Sequence, residues 1–287
     1  KERKKMNKVI IVTDSSAYLP QEIVEQYHLP ILPLVLNWQG KQYRDGVDIS
    51  AHEFYTQLSR SKEMASTSQV TVGQFEEIFK PLLDAGNDVF YTGISSGISA
   101  SFDSAEQAKV ELGNPENLEV FDSQLVSMAL GLMVITLARA AEQGASLQEI
   151  LELAKATYPK IGVYFTVNTL EYLYRGGRIN TATRFLGSAL NVKPLLEIRG
   201  GKIEAVESVI SHKKALSRML DLIEKRTSGK TPLCIAPFHA LCEDECRALE
   251  AAAVERLHPD EVFRSEVSPV IGAHVGPGTV AIAWMAG

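Results

Sequence analysis

At 287 residues, 45% hydrophobic and 22% charged, the chain is long enough for two domains and too apolar to be disordered. Its 29 basic and 35 acidic residues leave a formal net charge of -6, which excludes the basic face that nucleic-acid phosphates require and gives no polybasic attraction to anionic lipid. The longest uncharged stretch, Ser123 to Ala138, falls short of the roughly 20 apolar residues of a membrane span, so it reads as a buried helix and no stable membrane insertion is expected.

Lys1–Lys5 are followed by no long apolar run, and Val9–Val12 is too short for the core of a signal peptide. Met6 reads as the natural start and Lys1–Lys5 as an expression remnant. The cysteines, Cys234, Cys242 and Cys246, are odd in number and sparse, which suits reduced thiols in a cytoplasmic protein. Cys242 and Cys246 share a helical face but do not by themselves complete a zinc site, so no metal is expected.

In chain order, the β-branched run Lys8–Thr13 predicts a buried strand ended by Asp14-Ser15-Ser16, and Pro20–Tyr27 a helix with proline in its first turn. Ile31–Trp38 predicts a second strand that turns at Gln39-Gly40 into a hairpin with Lys41–Arg44. The capping boxes Ser50–Glu53 and Thr71–Gln74 start helices, with a polar loop, Arg60–Val70, between them. Asp88–Thr92 is the next strand, Ser99–Leu112 a helix, and Leu118–Phe121 a strand ended by Asp122-Ser123. The buried helix follows to about Ala141, and the capping box Ser146–Glu149 opens another. This alternation predicts an α/β fold: a parallel sheet covered by helices on both faces.

The second half has a different rhythm. Gly162–Val167 predicts a strand and Thr169–Arg175 a short helix stopped by Gly176-Gly177. Leu195–Arg199 and Lys202–Ile210 flank Gly200-Gly201 as a hairpin. Helices at Ser211–Lys225 and Glu243–Leu257 alternate with strands at Pro232–Ala236, Val262–Val267 and Thr279–Trp284, the last two around a Gly/Pro-rich loop. The reading is two domains, an α/β domain over 7–160 and an α+β domain over 161–287.

Ligands of open α/β sheets gather beyond the carboxyl ends of the strands. Three hydroxyl-rich segments fall at such loops or at helix starts: Thr13-Asp14-Ser15-Ser16, Ser66-Thr67-Ser68-Gln69 and Ser95-Ser96-Gly97. Beside the free N–H groups of helix N-termini, their hydroxyls suit a carboxylate or phosphate; the same residue types are also ordinary N-caps. Gly93-Ile94-Ser95-Ser96-Gly97 matches the G-x-S-x-G elbow of serine hydrolases, with Asp122 and His274 following in order. Against that reading, Asp122 comes early and no His-Gly-Gly segment lies upstream. Arg178, after Gly176-Gly177, has the fork geometry to pair with an anion, and His274, in the Gly/Pro-rich loop, titrates near neutrality. Asp14 with Asp122 offers a carboxylate pair, but capping explains both without a metal.

Taken together, Thr13-Asp14-Ser15, Thr67-Ser68-Gln69, Ile94–Ser99, Phe121-Asp122-Ser123, Gly176-Gly177-Arg178-Ile179 and His274–Gly278 resemble the DegV family of fatty-acid-binding proteins, from Val9 almost to the C-terminus. The resemblance implies a three-layer parallel α/β/α sheet followed by an α+β domain, with a long-chain fatty acid enclosed between them and no other cofactor. It implies a non-catalytic partner of a dihydroxyacetone-kinase-like fatty acid kinase, which supplies ATP and metal and makes the acyl phosphate used in bacterial phospholipid synthesis. It places Thr67, Ser68, Ser95, Ser96 and Gly97 at the carboxylate, and Asp14, Ser15, Arg178 and His274 around the carboxylate and its exit. Val126–Ala138 is the candidate tunnel wall. Val70 stands where the family commonly has proline, Ala100 where glycine is usual, and Ile210 where kinase partners tend to have arginine. The last departure keeps open a lipid store or sensor without a kinase.

Overall fold

The computed structural model describes residues 7–61, 63–185 and 193–287. Met6 and Lys1–Lys5, and Lys62 within the expected loop, lie outside the described residues. The strands are β1 (Val9–Asp14), β2 (Ile31–Leu32), β3 (Val35–Trp38), β4 (Lys41–Arg44), β5 (Ser66–Ser68), β6 (Asp88–Gly93), β7 (Leu118–Asp122), β8 (Ile161–Thr166), β9 (Lys193–Arg199), β10 (Lys202–Val209), β11 (Leu233–His239), β12 (Glu261–Val262), β13 (Ser265–Glu266) and β14 (Val280–Ala286). The helices are α1 (Gln21–Tyr27), α2 (Ala51–Leu58), α3 (Val72–Asp84), α4 (Ser101–Glu111), α5 (Ser127–Glu142), α6 (Leu147–Thr157), α7 (Glu171–Arg175), α8 (His212–Thr227), α9 (Glu243–Leu257) and α10 (Pro269–Val275).

A four-stranded parallel sheet runs β2-β1-β6-β7. Its strands are apolar on both sides because α3 and α4 pack on one face and α5 and α6 on the other, the three-layer arrangement the alternation predicts. The expected capping boxes are all formed, at Ser50, Thr71 and Ser146. Two readings need correction. The single strand Ile31–Trp38 is broken at Pro33-Leu34: β2 joins the parallel sheet, while β3 pairs antiparallel with β4. Proline lacks the N–H a continuous ladder needs. The polar loop Arg60–Val70 contains β5, which pairs antiparallel with β3 and completes a three-stranded sheet. Its short hydroxyl-rich sequence carries no periodic apolar signal.

The second half forms a sheet ordered β10-β9-β8-β14-β11, antiparallel throughout, with β12 and β13 added parallel to β11. Strand alternation divides its side chains between two cores. Val163, Phe165, Ala236, Phe238, Ala281 and Ala283 join the core that continues through α5 to the parallel sheet. Tyr164, Leu233, Ile235, Val280, Ile282 and Trp284 form the separate core under α8 and α9. The face turned to the first sheet thus carries several alanines, and these small side chains leave room between the layers. α5 fills most of that space: from Ser127 to Ile135 every side chain is buried. The Gly/Pro-rich segment is also corrected, since it contains α10, started by a Ser268 N-cap and Pro269 and stopped at Gly276.

Candidate functional site

A cavity of ≈ 160 Å³ lies where the carboxyl ends of the parallel strands meet the second sheet. That is several times the ~30 Å³ share of one water. Leu34, Ile94, Val126, Val163, Phe165 and Phe238 are among its apolar walls. Thr67, Ser68, Gln69, Ser99, Arg178 and His274 supply polar groups. Of the uncharged helix, Val126 and Ser127 reach the cavity; the rest of α5 is core.

Three elements bring the polar groups together. β5 presents Thr67, whose Oγ1 lies 2.8 Å from His274 Nε2 on α10. Tyr55 fixes α10: its hydroxyl donates to the Val267 carbonyl at 2.9 Å, and its ring packs so close to Gly272 that a Cβ there would lie 2.1 Å from the hydroxyl. Arg178 follows α7 and donates from Nη1 to the Gly176 carbonyl at 2.7 Å and from Nε to the Ile98 carbonyl at 3.2 Å. These bonds aim the guanidinium and leave Nη2 without a protein acceptor among the described residues.

His274 is neutral at physiological pH. Burial first, and the Arg178 cation second, depress its pKa from 6.5 to about 4. Its Nδ1 is buried without a partner among the described residues, against Gly176, where an added Cβ would sit 2.3 Å away. Glycine is required at that approach. In the tautomer that carries its proton on Nε2, His274 donates to Thr67 Oγ1 and the threonine hydroxyl proton is free for an acceptor in the cavity; in the other, Thr67 donates to Nε2.

The segment Ser95-Ser96-Gly97 is placed differently from Thr67. Ser95 is buried; its Oγ donates to the Gly201 carbonyl at 2.8 Å and accepts from Gly97 N–H. Ser96 is exposed and gives both its N–H and its hydroxyl to Asp122. Neither serine nor Gly97 lines the cavity. The same loop reaches it through Ile94 and Ile98 and through Ser99 and Ala100 at the start of α4, where Ser99 Oγ accepts from Ser101 N–H at 3.3 Å. Sequence reasoning passed over Ser99 as a site residue, although its position at the predicted helix start was the available signal. Gln69 was passed over as well. The serine-hydrolase arrangement is not assembled: Ser95 is bonded to Gly201, Asp122 to Ser96, and His274 to Thr67.

Asp14 and Ser15 hold the walls and do not line the cavity. Asp14, fully buried, accepts from Ile94 N–H at 2.7 Å, Ser16 N–H at 3.0 Å, the Ser16 hydroxyl and the Tyr91 hydroxyl at 3.2 Å. Burial raises its pKa, and these bonds oppose the rise. The Ser15 hydroxyl donates to Asp45 at 2.7 Å. Asp14 and Asp122 are each committed to groups of the 93–97 loop, Asp14 at Ile94 and Asp122 at Ser96, and among the described residues no three His, Cys, Asp or Glu side chains are grouped to hold a metal. Cys234, Cys242 and Cys246 are free thiols whose pKa values burial pushes up to about 12. Among the described residues no helix is long and apolar enough to cross a membrane.

The family described as "Uncharacterised protein, DegV family" matches residues 8–287. A DegV domain-containing protein of Caldanaerobacter subterraneus is 32% identical over 277 residues, 96% of this chain and 98% of that protein. A solved structure described as showing fatty acid binding of a DegV family protein from Thermus thermophilus superposes with a TM-score of 0.92 at 31% identity, covering 97% of this chain and 99% of that one. A stearic-acid-binding protein of Eubacterium ventriosum superposes with a TM-score of 0.90 at 26% identity, covering 98% of each chain. By sequence and by architecture, over almost its whole length, the chain belongs to the DegV family.

Proposed function

We propose that this protein binds a long-chain fatty acid in the cavity, in the cytoplasm, and presents its carboxylate to a fatty acid kinase for acyl phosphate formation. In this reading residues 7–160 and 161–287 act as two domains closing on the lipid. The observation that carries it is a cavity with mainly apolar walls whose polar groups are a threonine hydroxyl, an aimed arginine and a neutral histidine. The fatty acids bound by the Thermus and Eubacterium relatives support the same ligand class.

The chemistry follows from the groups present. Arg178 Nη2 and the Thr67 hydroxyl donate to the carboxylate, and the start of α4 at Ser99–Ala100 adds the positive end of a helix dipole. These donors also tolerate the greater negative charge of an acyl phosphate. Burying about a dozen methylenes at ~0.8 kcal/mol each gives on the order of 10 kcal/mol before ordering costs, which holds the tail without a covalent bond.

Mass spectrometry of protein purified from bacteria under native conditions is the direct test. A mass increment of one fatty acid, released on denaturation, is expected. A lipid-free mass together with no uptake of added stearic acid would sink the proposal. Kinase coupling is a separate arm. Ile210, 78% exposed between β10 and α8, stands where the resemblance led us to expect an arginine. Acyl phosphate formed on adding a fatty acid kinase with ATP supports presentation; loaded protein that never turns over supports a lipid store or sensor.

A further inference from the structure

The cavity has a second set of hydrogen-bonding groups, separate from those assigned to the carboxylate. α5 begins at its wall, and Val126, the N-cap, makes no side-chain cap bond. The N–H groups of Ser127, Met128 and Ala129 have no acceptor among the described residues. Bulk solvent does not reach them: Ser127 is 4% exposed, and Met128 and Ala129 are fully buried. Buried backbone N–H groups are almost always paired with protein, ordered water or ligand.

The second observation is independent of the helix end. The Ser127 side chain lines the cavity and makes no hydrogen bond among the described residues, including none to Thr67, Ser99, Arg178 or His274. A hydroxyl both donates and accepts, so together with the N–H groups beside it this turn can take an oxygen and return a bond to that oxygen's own hydrogen. The Arg178 guanidinium is already set for the carboxylate and this turn has no ionised side chain, so a neutral oxygen along the chain is the group left for it to take.

We propose that the first turn of α5, with the Ser127 hydroxyl, is a subsite for a neutral oxygen carried along the acyl chain, so that the cavity takes hydroxy- or keto-substituted long-chain acids as well as plain ones. This rests on the fatty-acid reading and extends it to a substrate class. The carboxylate stays with Thr67, Ser99 and Arg178, and the oxygen's distance along the chain is what the subsite selects.

The experiment uses lipid-stripped full-length protein and compares stearic acid with a positional series of monohydroxystearic acids by titration calorimetry. One position is expected to bind roughly tenfold tighter than its isomers, the discrimination that one satisfied buried hydroxyl supplies. Ser127→Gly removes the hydroxyl and suits the left-handed φ of 51° at this residue. It should abolish the positional preference and leave stearic acid within about twofold. Ser127→Ala should do the same if it folds. Absence of any positional preference in the wild type, with stearic acid bound, overturns the subsite alone. Equal weakening of stearic acid in Ser127→Gly overturns it too, by assigning Ser127 to the carboxylate. Failure to bind any of these acids overturns the fatty-acid reading and this inference with it.

Discussion

Segments 66–69 and 93–99 look alike as sequence: both are rich in hydroxyls, and each lies just before a helix. Their use of those hydroxyls is opposite. In 93–99, the Ser95 hydroxyl is bonded to Gly201, Ser96 to Asp122, and Ile94 N–H to the buried Asp14, so the segment anchors a wall and reaches the cavity through its last residues. In 66–69, Thr67 faces the cavity with His274 as its one side-chain partner. A donor already satisfied by protein in a short, well-aligned bond has little left to give a ligand. Where a hydroxyl faces, into the cavity or onto a carboxylate or carbonyl of the wall, separates a binding group from an anchor more than residue type does.

The sharpest way to break this contrast is to remove the anchor's acceptor. Asp14→Ala leaves the N–H groups of Ile94 and Ser16 and the hydroxyls of Ser16 and Tyr91 facing a buried void. A loss of about 3–5 kcal/mol is expected, as for breaking one side of a buried polar network. It should appear as a lower denaturation midpoint with an unchanged slope. A midpoint close to wild type would mean that the 93–99 segment is not held this way.

A second anchor gives a pH-dependent test. Asp45 accepts from the Ser15 hydroxyl, and burial raises its pKa from 3.8 to about 7. Below the unfolded value both states are protonated and folding is unaffected. As pH rises, the unfolded chain ionises first while the folded chain keeps its proton. The contribution of this group is therefore lost progressively as pH climbs through about 7, by on the order of 2–4 kcal/mol. Asp45→Asn should flatten that part of the stability profile and exceed wild type at mildly alkaline pH. Parallel profiles for the two proteins would reject the assignment.

Most of the fold was legible because it rests on local signals. Apolar strand runs, the three capping boxes and the Gly200-Gly201 hairpin each declare themselves within a few residues. β5 was missed because Ser66–Ser68 is a strand by virtue of its partner β3, thirty-odd positions earlier in the chain. α10 was read as a loop because glycine and proline dominated, although Ser268-Pro269 is a regular helix start. At the site, Thr67, Ser68, Arg178 and His274 do line one cavity. Ser95, Ser96 and Gly97 could not be told from Ser99 by composition; what separates them is Asp122, Gly201 and the turn into α4, none of which a motif of serines reports.

The gentlest test is also the most direct on the opening contrast: one hydroxyl from each segment, compared in binding. Thr67→Ala removes the hydroxyl that faces the cavity and leaves His274 Nε2 without a partner. Fatty-acid affinity should fall by about tenfold, corresponding to ~1.4 kcal/mol for a charge-assisted bond. Thr67→Ser keeps the hydroxyl and should retain most of the affinity, which separates the bond from the lost methyl. Ser96→Ala removes a hydroxyl of the same kind from a site where it serves Asp122 in the open, so binding should stay within about twofold and stability should change little. Calorimetric titration of the three variants beside wild type decides the matter. If Ser96→Ala weakens binding as much as Thr67→Ala, then Asp122 releases Ser96 when the lipid enters, and the direction a hydroxyl faces is not what marks a binding group.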